Sequence, residues 1–377
     1  MVTKRRRAAP TGTDLHRAWL ELVEVDGPFL AVPTLKRVWP QGMPPLGRSE
    51  ADLLRGAKTV FERAWELADG ASRRGSSAGS VSDADSAKTL QAYAAARDVW
   101  VRAVLTDILG WGAHLTWDAA GFTARSPDHR VTITASAVVE GADGPALLVA
   151  LVPRTQSLHA AGRDGWAATE IDRMEVLLRG SGVPIGVVTD GRWWALVCAR
   201  EDAMVASGVV DASTWVEEPA TRDAFVALLQ PVRLLGGKPE DRLPALFEQS
   251  VLEAEEITEA LGGQVRRAVE LLIQAFSEIA AETIRRRGAD PLPERAGEVY
   301  DAAVTVMMRV VFLLYAEERG LLPQGELFAQ GYGIAGALDT LASRALDEGD
   351  EALDGTYLTW HRLLATSQAL YLSLIHI

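Results

Sequence analysis

The run Ala146-Leu147-Leu148-Val149-Ala150-Leu151-Val152 does more than any other stretch to narrow what this sequence can fold into. A strand turns successive side chains to opposite faces, so seven apolar residues with no polar alternation require a central strand covered on both sides. Three neighbouring runs are also rich in strand-forming residues: Arg130 to Val139, Pro184 to Val188 and Arg192 to Ala199. The dipeptide Asp190-Gly191 between the last two predicts a hairpin. Apolar residues at helical spacing (Tyr93, Val101, Val104, Leu105, Ile108) predict a helix over Thr89 to Leu109, stopped by Gly110. Another is expected from Thr169 to Arg179. The order helix, strand, strand, helix, strand, strand predicts an α/β domain around a small mixed sheet.

The flanks read differently. Helical stretches from Asp14 to Val25 and from Glu50 to Ala68 surround a connection holding Pro28, Pro33, Pro40, Pro44 and Pro45, which cannot be one helix. Gly70 to Ser86 is dominated by Gly, Ser, Ala and Asp and reads as a flexible linker. From Pro219 onward the pattern is helical, over Asp223 to Leu229, Leu243 to Leu261, Gln264 to Arg287 and Glu298 to Arg319. In the last, Val299, Ala303, Val306, Val310 and Leu313 recur every three or four residues, and Gly320 and Pro323 supply the stop. The domains expected are 1–69, helical and Pro-rich; 70–86, linker; 87–218, α/β; 219–371, helical connector; and 372–377, a non-native tail. No repeat of solenoid length occurs.

Composition removes several function classes. The 377 residues are 48% hydrophobic, too apolar for a disordered chain, and the net charge of −13 means that any DNA contact requires a local basic patch. A single cysteine, Cys198, excludes a disulfide framework or a Cys-based zinc site and fits a reducing cytoplasm. His16, His114, His129, His159, His361 and His376 show no ligand spacing. The longest apolar stretch, Val304 to Tyr315, is interrupted by Arg309 and falls short of the roughly 20 residues of a span, so no membrane association is expected. Lys4-Arg5-Arg6-Arg7 lacks a following apolar segment and reads as a solvated basic tail.

Three blocks carry a resemblance. The first is Trp19-Leu20-Glu21-Leu22-Val23-Glu24-Val25-Asp26-Gly27-Pro28-Phe29-Leu30. The second is Arg173-Met174-Glu175-Val176-Leu177-Leu178-Arg179 with Gly182 through Val197. The third is Gly263-Gln264-Val265-Arg266-Arg267-Ala268-Val269-Glu270, followed by Val304 through Pro323. Together they resemble the N-terminal half of large bacterial type IIG-like restriction-modification proteins, including the adenine-specific DNA methyltransferases of phage-defence systems such as BREX and DISARM. The resemblance covers about residues 15 to 371. It implies an α/β region related to PD-(D/E)xK nucleases and a mostly α-helical connector. An S-adenosylmethionine-dependent methyltransferase and a target-recognition domain follow in that family, and double-stranded DNA and other defence subunits are the implied partners. Neither the family's Gly-rich cofactor motif after a strand nor an Asn-Pro-Pro-Tyr loop occurs in the sequence. The expectation is therefore a fragment with no cofactor of its own. Leu372-Ser373-Leu374-Ile375-His376-Ile377 is what one frame of a transposase mosaic-end adapter encodes, so a break near Tyr371 is expected.

Nucleases of that class hold Mg²⁺ with an acidic residue at one strand and a D/E-x-K on the next. Asp128, after Pro127, stands where the first acid belongs, but Ala150 and Val152 occupy the places of the second acid and the lysine. The α/β domain is accordingly expected to be a degenerate nuclease, with Asp128 a weak candidate better explained as a turn residue. A second acid set, Asp128, Glu140, Glu170 and Glu175, has no spacing to recommend it. Gly331-x-Gly333-x-x-Gly336 matches a dinucleotide fingerprint by letter but lacks the preceding strand. Candidate DNA contacts are Arg192 beside the Trp193-Trp194 pair, Arg266 and Arg267, and the helix-end run Arg285, Arg286 and Arg287. Arg266 and Arg267 also have the acids of Glu253 to Glu259 as prospective partners, and Arg309 is expected to pair with a carboxylate. Two other readings stay open: a protein-docking module of a defence complex, and an active Mg²⁺-dependent endonuclease.

Overall fold

Thr11 and Asp14 cap each other at the start of the first helix, α1 (Gly12–Leu20): the Thr11 amide donates to Asp14 Oδ2 at 2.9 Å, and the Asp14 amide donates to Thr11 Oγ1 at 3.3 Å. The chain then forms β1 (Glu24–Asp26), α2 (Val32–Val38), α3 (Arg48–Gly75) and α4 (Asp83–Ala103), the last extended by a π turn over Val104–Ile108. Next come β2 (Leu115–Thr116), β3 (Ala119–Arg125), β4 (Thr132–Ala135), β5 (Ala137–Gly141) and β6 (Gly144–Leu151). They are followed by α5 (Glu170–Ser181), β7 (Ile185–Thr189), β8 (Trp193–Cys198), β9 (Ala206–Asp211), α6 (Pro219–Leu229), α7 (Pro231–Leu234) and the 45-residue α8 (Leu243–Arg287). The computed structural model describes residues 10–75, 83–318, 320–323 and 325–375. Two compact units divide between Glu256 and Ile257.

In the first unit a seven-stranded mixed sheet has the order β1-β9-β8-β7-β6-β5-β2, and β3 pairs with β4 alongside. Strands β6 and β7 run parallel, with α5 between them in sequence, and the remaining pairs described are antiparallel. The apolar run behaves as its composition requires. Leu147 and Val149 enter one core with α3, α4 and α6, while Leu148 and Val152 enter a second core with α5 on the other face. Both sheet edges are short, three residues in β1 and two in β2, which limits edge-to-edge pairing.

Several expected elements shift. The helix expected to reach Val25 stops at Leu20, because Glu24–Asp26 pairs with β9 and Val25 lies opposite Gly208. That partner is far away in sequence and overrides local helical preference. The expected strand from Arg130 to Val139 breaks at Ser136 into β4 and β5, which join different sheets. Helices α3 and α4 extend into both ends of the expected linker 70–86; residues 76–82, like the basic segment 4–7, lie outside the described residues. Gly262 and Gly263 do not divide the two helices expected there, and α8 passes through them. The expected boundary at 218 also falls inside the first unit, since α6 places Ala224, Phe225, Val226, Leu228 and Leu229 in the larger core.

The second unit contains α9 (Ala296–Glu318), α10 (Glu326–Gly331), α11 (Ala335–Glu348) and α12 (Leu358–Ile375). Its core is Leu313, Ala316, Leu322, Ile334 and Leu363, with Val306, Val310 and Phe328 against them. The opposite stripe of α9, holding Tyr300, Met308, Val311, Phe312 and Tyr315, is exposed. Gly297–Glu318 is long and apolar enough to cross a membrane by length and composition, with 22% of the apolar window buried. The helix outruns the apolar stretch visible in the sequence, and Arg309 on it is exposed rather than buried against an acid.

Candidate functional site

Polar groups gather where the parallel strands β6 and β7 end, the edge at which open α/β sheets bind ligands as a rule. Strand β7 finishes in Thr189-Asp190-Gly191, and the hairpin expected there forms, with Thr189 opposite Trp194. Asp190 is fully buried, and its carboxylate accepts from the amides of Thr155 (3.1 Å), Arg192 (2.9 Å) and Trp193 (2.8 Å). Burial pushes this carboxyl above the usual range, and the three amides offset part of that rise. Tyr93 of α4 donates its hydroxyl to the Asp190 carbonyl, and burial raises that hydroxyl strongly. Arg97 of the same helix donates to the Val152 carbonyl at 2.7 Å. Gly191 has φ +97° and its carbonyl accepts from the indoles of Trp100 (2.8 Å) and Trp194 (3.1 Å). A Cβ on Gly191 would lie 2.8 Å from the Phe61 ring.

Two arginines meet one indole beside this edge. The guanidinium carbons of Arg154 and Arg192 lie 5.1 and 4.7 Å from the Trp65 ring centroid. Arg154 is held by Asp69, and Arg192 by Asp211 at 2.7 Å. Burial works against ionised Asp211, but hydrogen bonds from Arg192 and Ser213 outweigh it and hold the carboxyl below its ordinary range. The Asp211 hydrogen bond correspondingly raises Arg192. Beneath Trp65 lies a cavity of about 200 Å³, bounded by Lys58, Phe61, Glu62 and Glu66 of α3, by Trp100, and by Arg192, Ala212 and Ser213. Lys58 is 4% exposed and its ammonium donates to the Ser213 carbonyl at 2.7 Å while pairing with Glu62 at 3.0 Å.

The residues singled out from sequence are not drawn together here, apart from Arg192. Asp128 sits in the β3–β4 turn, accepting from Ser126 Oγ at 2.5 Å and the Arg130 amide at 3.2 Å. The Ser126 hydroxyl, followed by the Arg130 amide, lowers its carboxyl, as in a turn-closing aspartate. The backbone beside Val149 and Leu151 is Ser136, whose amide donates to Val149 and whose hydroxyl accepts from Leu151 at 2.9 Å. With Ala150 on β6, Val152 just past its end and Ser136 next to them, these residues do not fit a D/E-x-K metal site. Glu140 is exposed, Glu170 faces Arg173 at 3.7 Å, and Glu175 pairs with Arg179 at 2.9 Å. Burial raises Glu170, against the pull of Arg173. Among the described residues, no three His, Cys, Asp or Glu side chains group to hold a metal ion.

Trp194 is fully buried and Trp193 partly exposed, with Arg192 also stacked 4.8 Å from the Trp193 ring. Arg266 and Arg267 are exposed on α8. At its end Arg285 and Arg286 share Glu282, at 2.6 and 2.5 Å, and Arg287 is exposed. The glycine run does not fit a dinucleotide: Gly331 ends α10, and Glu317 accepts from the amides of Ile334 (2.5 Å) and Ala335 (3.1 Å), where a phosphate would bind. The cavity under Trp65 escaped the sequence reading. Its signal was Lys58, Glu62, Trp65 and Glu66, spaced 4, 3 and 1 along one predicted helix, a polar face around one indole. The chain matches no family model, no curated protein and no solved structure.

Proposed function

We propose that this chain is the N-terminal part of a bacterial restriction-modification DNA methyltransferase that transfers a methyl group from S-adenosylmethionine to adenine N6. This part acts in the cytoplasm by positioning double-stranded DNA for the catalytic half. The observation that carries the reading is the order β5, β6, α5, β7 after α4 and three short strands, with β6 and β7 parallel; the resemblance puts Ala150 and Val152 at the positions of a nuclease's second acid and lysine. That order agrees with the sequence resemblance, and the apolar pair favours a degenerate nuclease domain over a cleaving one. On α8, Arg285, Arg286 and Arg287 place three cations at a helix C-terminus, suited to phosphate.

The test is duplex binding over a salt series, with Arg285, Arg286 and Arg287 changed together to Ala. The reading expects affinity to fall as salt rises, and the triple variant to lower the log–log slope by about 1 to 3, near 0.9 per lost phosphate contact. Binding without salt dependence, or an unaltered slope, removes the DNA role. Co-purification of another defence subunit without DNA affinity selects the docking reading instead. Cleavage with Mg²⁺ that Asp128→Ala abolishes selects an active endonuclease.

A further inference from the structure

We propose that the cavity under Trp65 is a binding site for the ring of a single nucleobase, one that carries an exocyclic amino group. Three observations lead there. The first is shape: Phe61, Trp65 and Trp100 supply aromatic walls, which favour a flat ring over an aliphatic chain. Its volume, about 200 Å³, is below the roughly 300–1,000 Å³ of sites for larger small molecules. One ring system fits, and a whole dinucleotide does not.

The second observation is charge. Lys58 is paired with Glu62 at 3.0 Å and Arg192 with Asp211 at 2.7 Å, so the two cations at the cavity are already neutralised. The remaining charged wall is Glu66. A phosphate therefore meets no net positive field here, and the ligand that fits is uncharged.

The third is the pattern of donors and acceptors. Glu62 uses Oε1 for Lys58, which leaves Oε2 to accept, and Glu66 adds a second accepting carboxylate beside it. Arg192 engages Asp211 through Nε and Nη2, which leaves Nη1 to donate to a ring nitrogen or carbonyl. A flat, neutral ring that donates from an amino group and accepts at the adjacent ring atom matches this edge. Adenine, cytosine and guanine have that edge, whereas thymine lacks the amino donor. The base can come from a free nucleoside or from an unpaired position in a nucleic-acid strand, and the chemistry at the cavity is the same. The inference rests on the cavity alone and stands or falls apart from duplex binding.

Calorimetry on the full chain tests it with adenosine, cytidine and thymidine, and with a single-stranded oligonucleotide against the same strand made abasic. Adenosine and cytidine are expected to bind, with thymidine at least tenfold weaker. Glu66→Gln, at an exposed position, is expected to weaken adenosine by about tenfold, the loss of one charge-assisted hydrogen bond. Trp65→Leu is expected to abolish binding, and Glu66→Gln keeps the test decisive if that variant misfolds. Binding of nucleosides identifies a free-base site; binding by the oligonucleotide alone, lost when it is abasic and weakened by Glu66→Gln, identifies an unpaired base. Failure of every nucleoside and of the oligonucleotide overturns the inference. So does equal affinity for thymidine, or affinity that Glu66→Gln leaves unchanged.

Discussion

Gly191 is the residue on which most of the polar edge depends. Its carbonyl holds two indoles, its φ lies in the left-handed region, and Phe61 leaves no room for a side chain. Gly191→Ala is expected to destabilise the protein by about 1–3 kcal/mol from backbone strain alone, read as a lower urea midpoint with unchanged slope. Asp211 sets a pH response of definite sign. Its folded-state value is depressed, so its contribution is present above the unfolded value near 3.9 and is lost as pH falls through the folded value. Asp190 and Glu170 are raised and act the other way, contributing at low pH and losing that contribution as pH rises through their folded values. The melting temperature should therefore drop below about pH 4 in the wild type, and less steeply in Asp211→Asn. A parallel decline in the two proteins refutes the assignment.

Among the elements, the start of α11 shows a side chain doing what a ligand does elsewhere. Glu317 caps two amides at Ile334 and Ala335, and Glu317→Ala should cost about 1–2 kcal/mol, with those amides exchanging faster while β6 is unaffected. Central elements were legible in the sequence because their signals are local. Ala146 to Val152 announces a two-sided strand, the helix expected from Thr169 forms as α5 with Thr169 as its cap, and Asp190-Gly191 announces the β7–β8 turn. Edge elements were not. Glu24–Asp26 becomes a strand through Ser207–Val209, and neither segment carries an apolar alternation strong enough to declare it. The cavity was hidden for the same reason: α3 supplies five of its residues, but Trp100 of α4, the β7–β8 turn and the loop after β9 supply the rest. Asp128, by contrast, looked chemical because it follows a proline, and its surroundings make it the closure of a turn.

For the molecule as a whole, the two units differ in how much they bury. The sheet unit has cores on both faces of its strands, whereas the second unit centres on Leu313, Ala316, Leu322, Ile334 and Leu363. Amides of β6 and β7 are expected to outlast those of α9 and α11 by more than about tenfold in hydrogen exchange, a gap above about 1.4 kcal/mol. Equal protection would show a single cooperative unit. The pairing of chain beginnings with distant partners has a consequence for how the protein is made. Ala31 donates to Ser250 across 219 residues, Arg37 reaches Asp241, and β1 waits for β9. At about 5–20 residues per second, Trp19, Phe29, Leu30 and Leu35 leave the ribosome roughly 10–45 s before their cover has been synthesised. For that interval the nascent chain carries an uncovered aromatic segment, so its yield of folded product is expected to depend on the pace of translation.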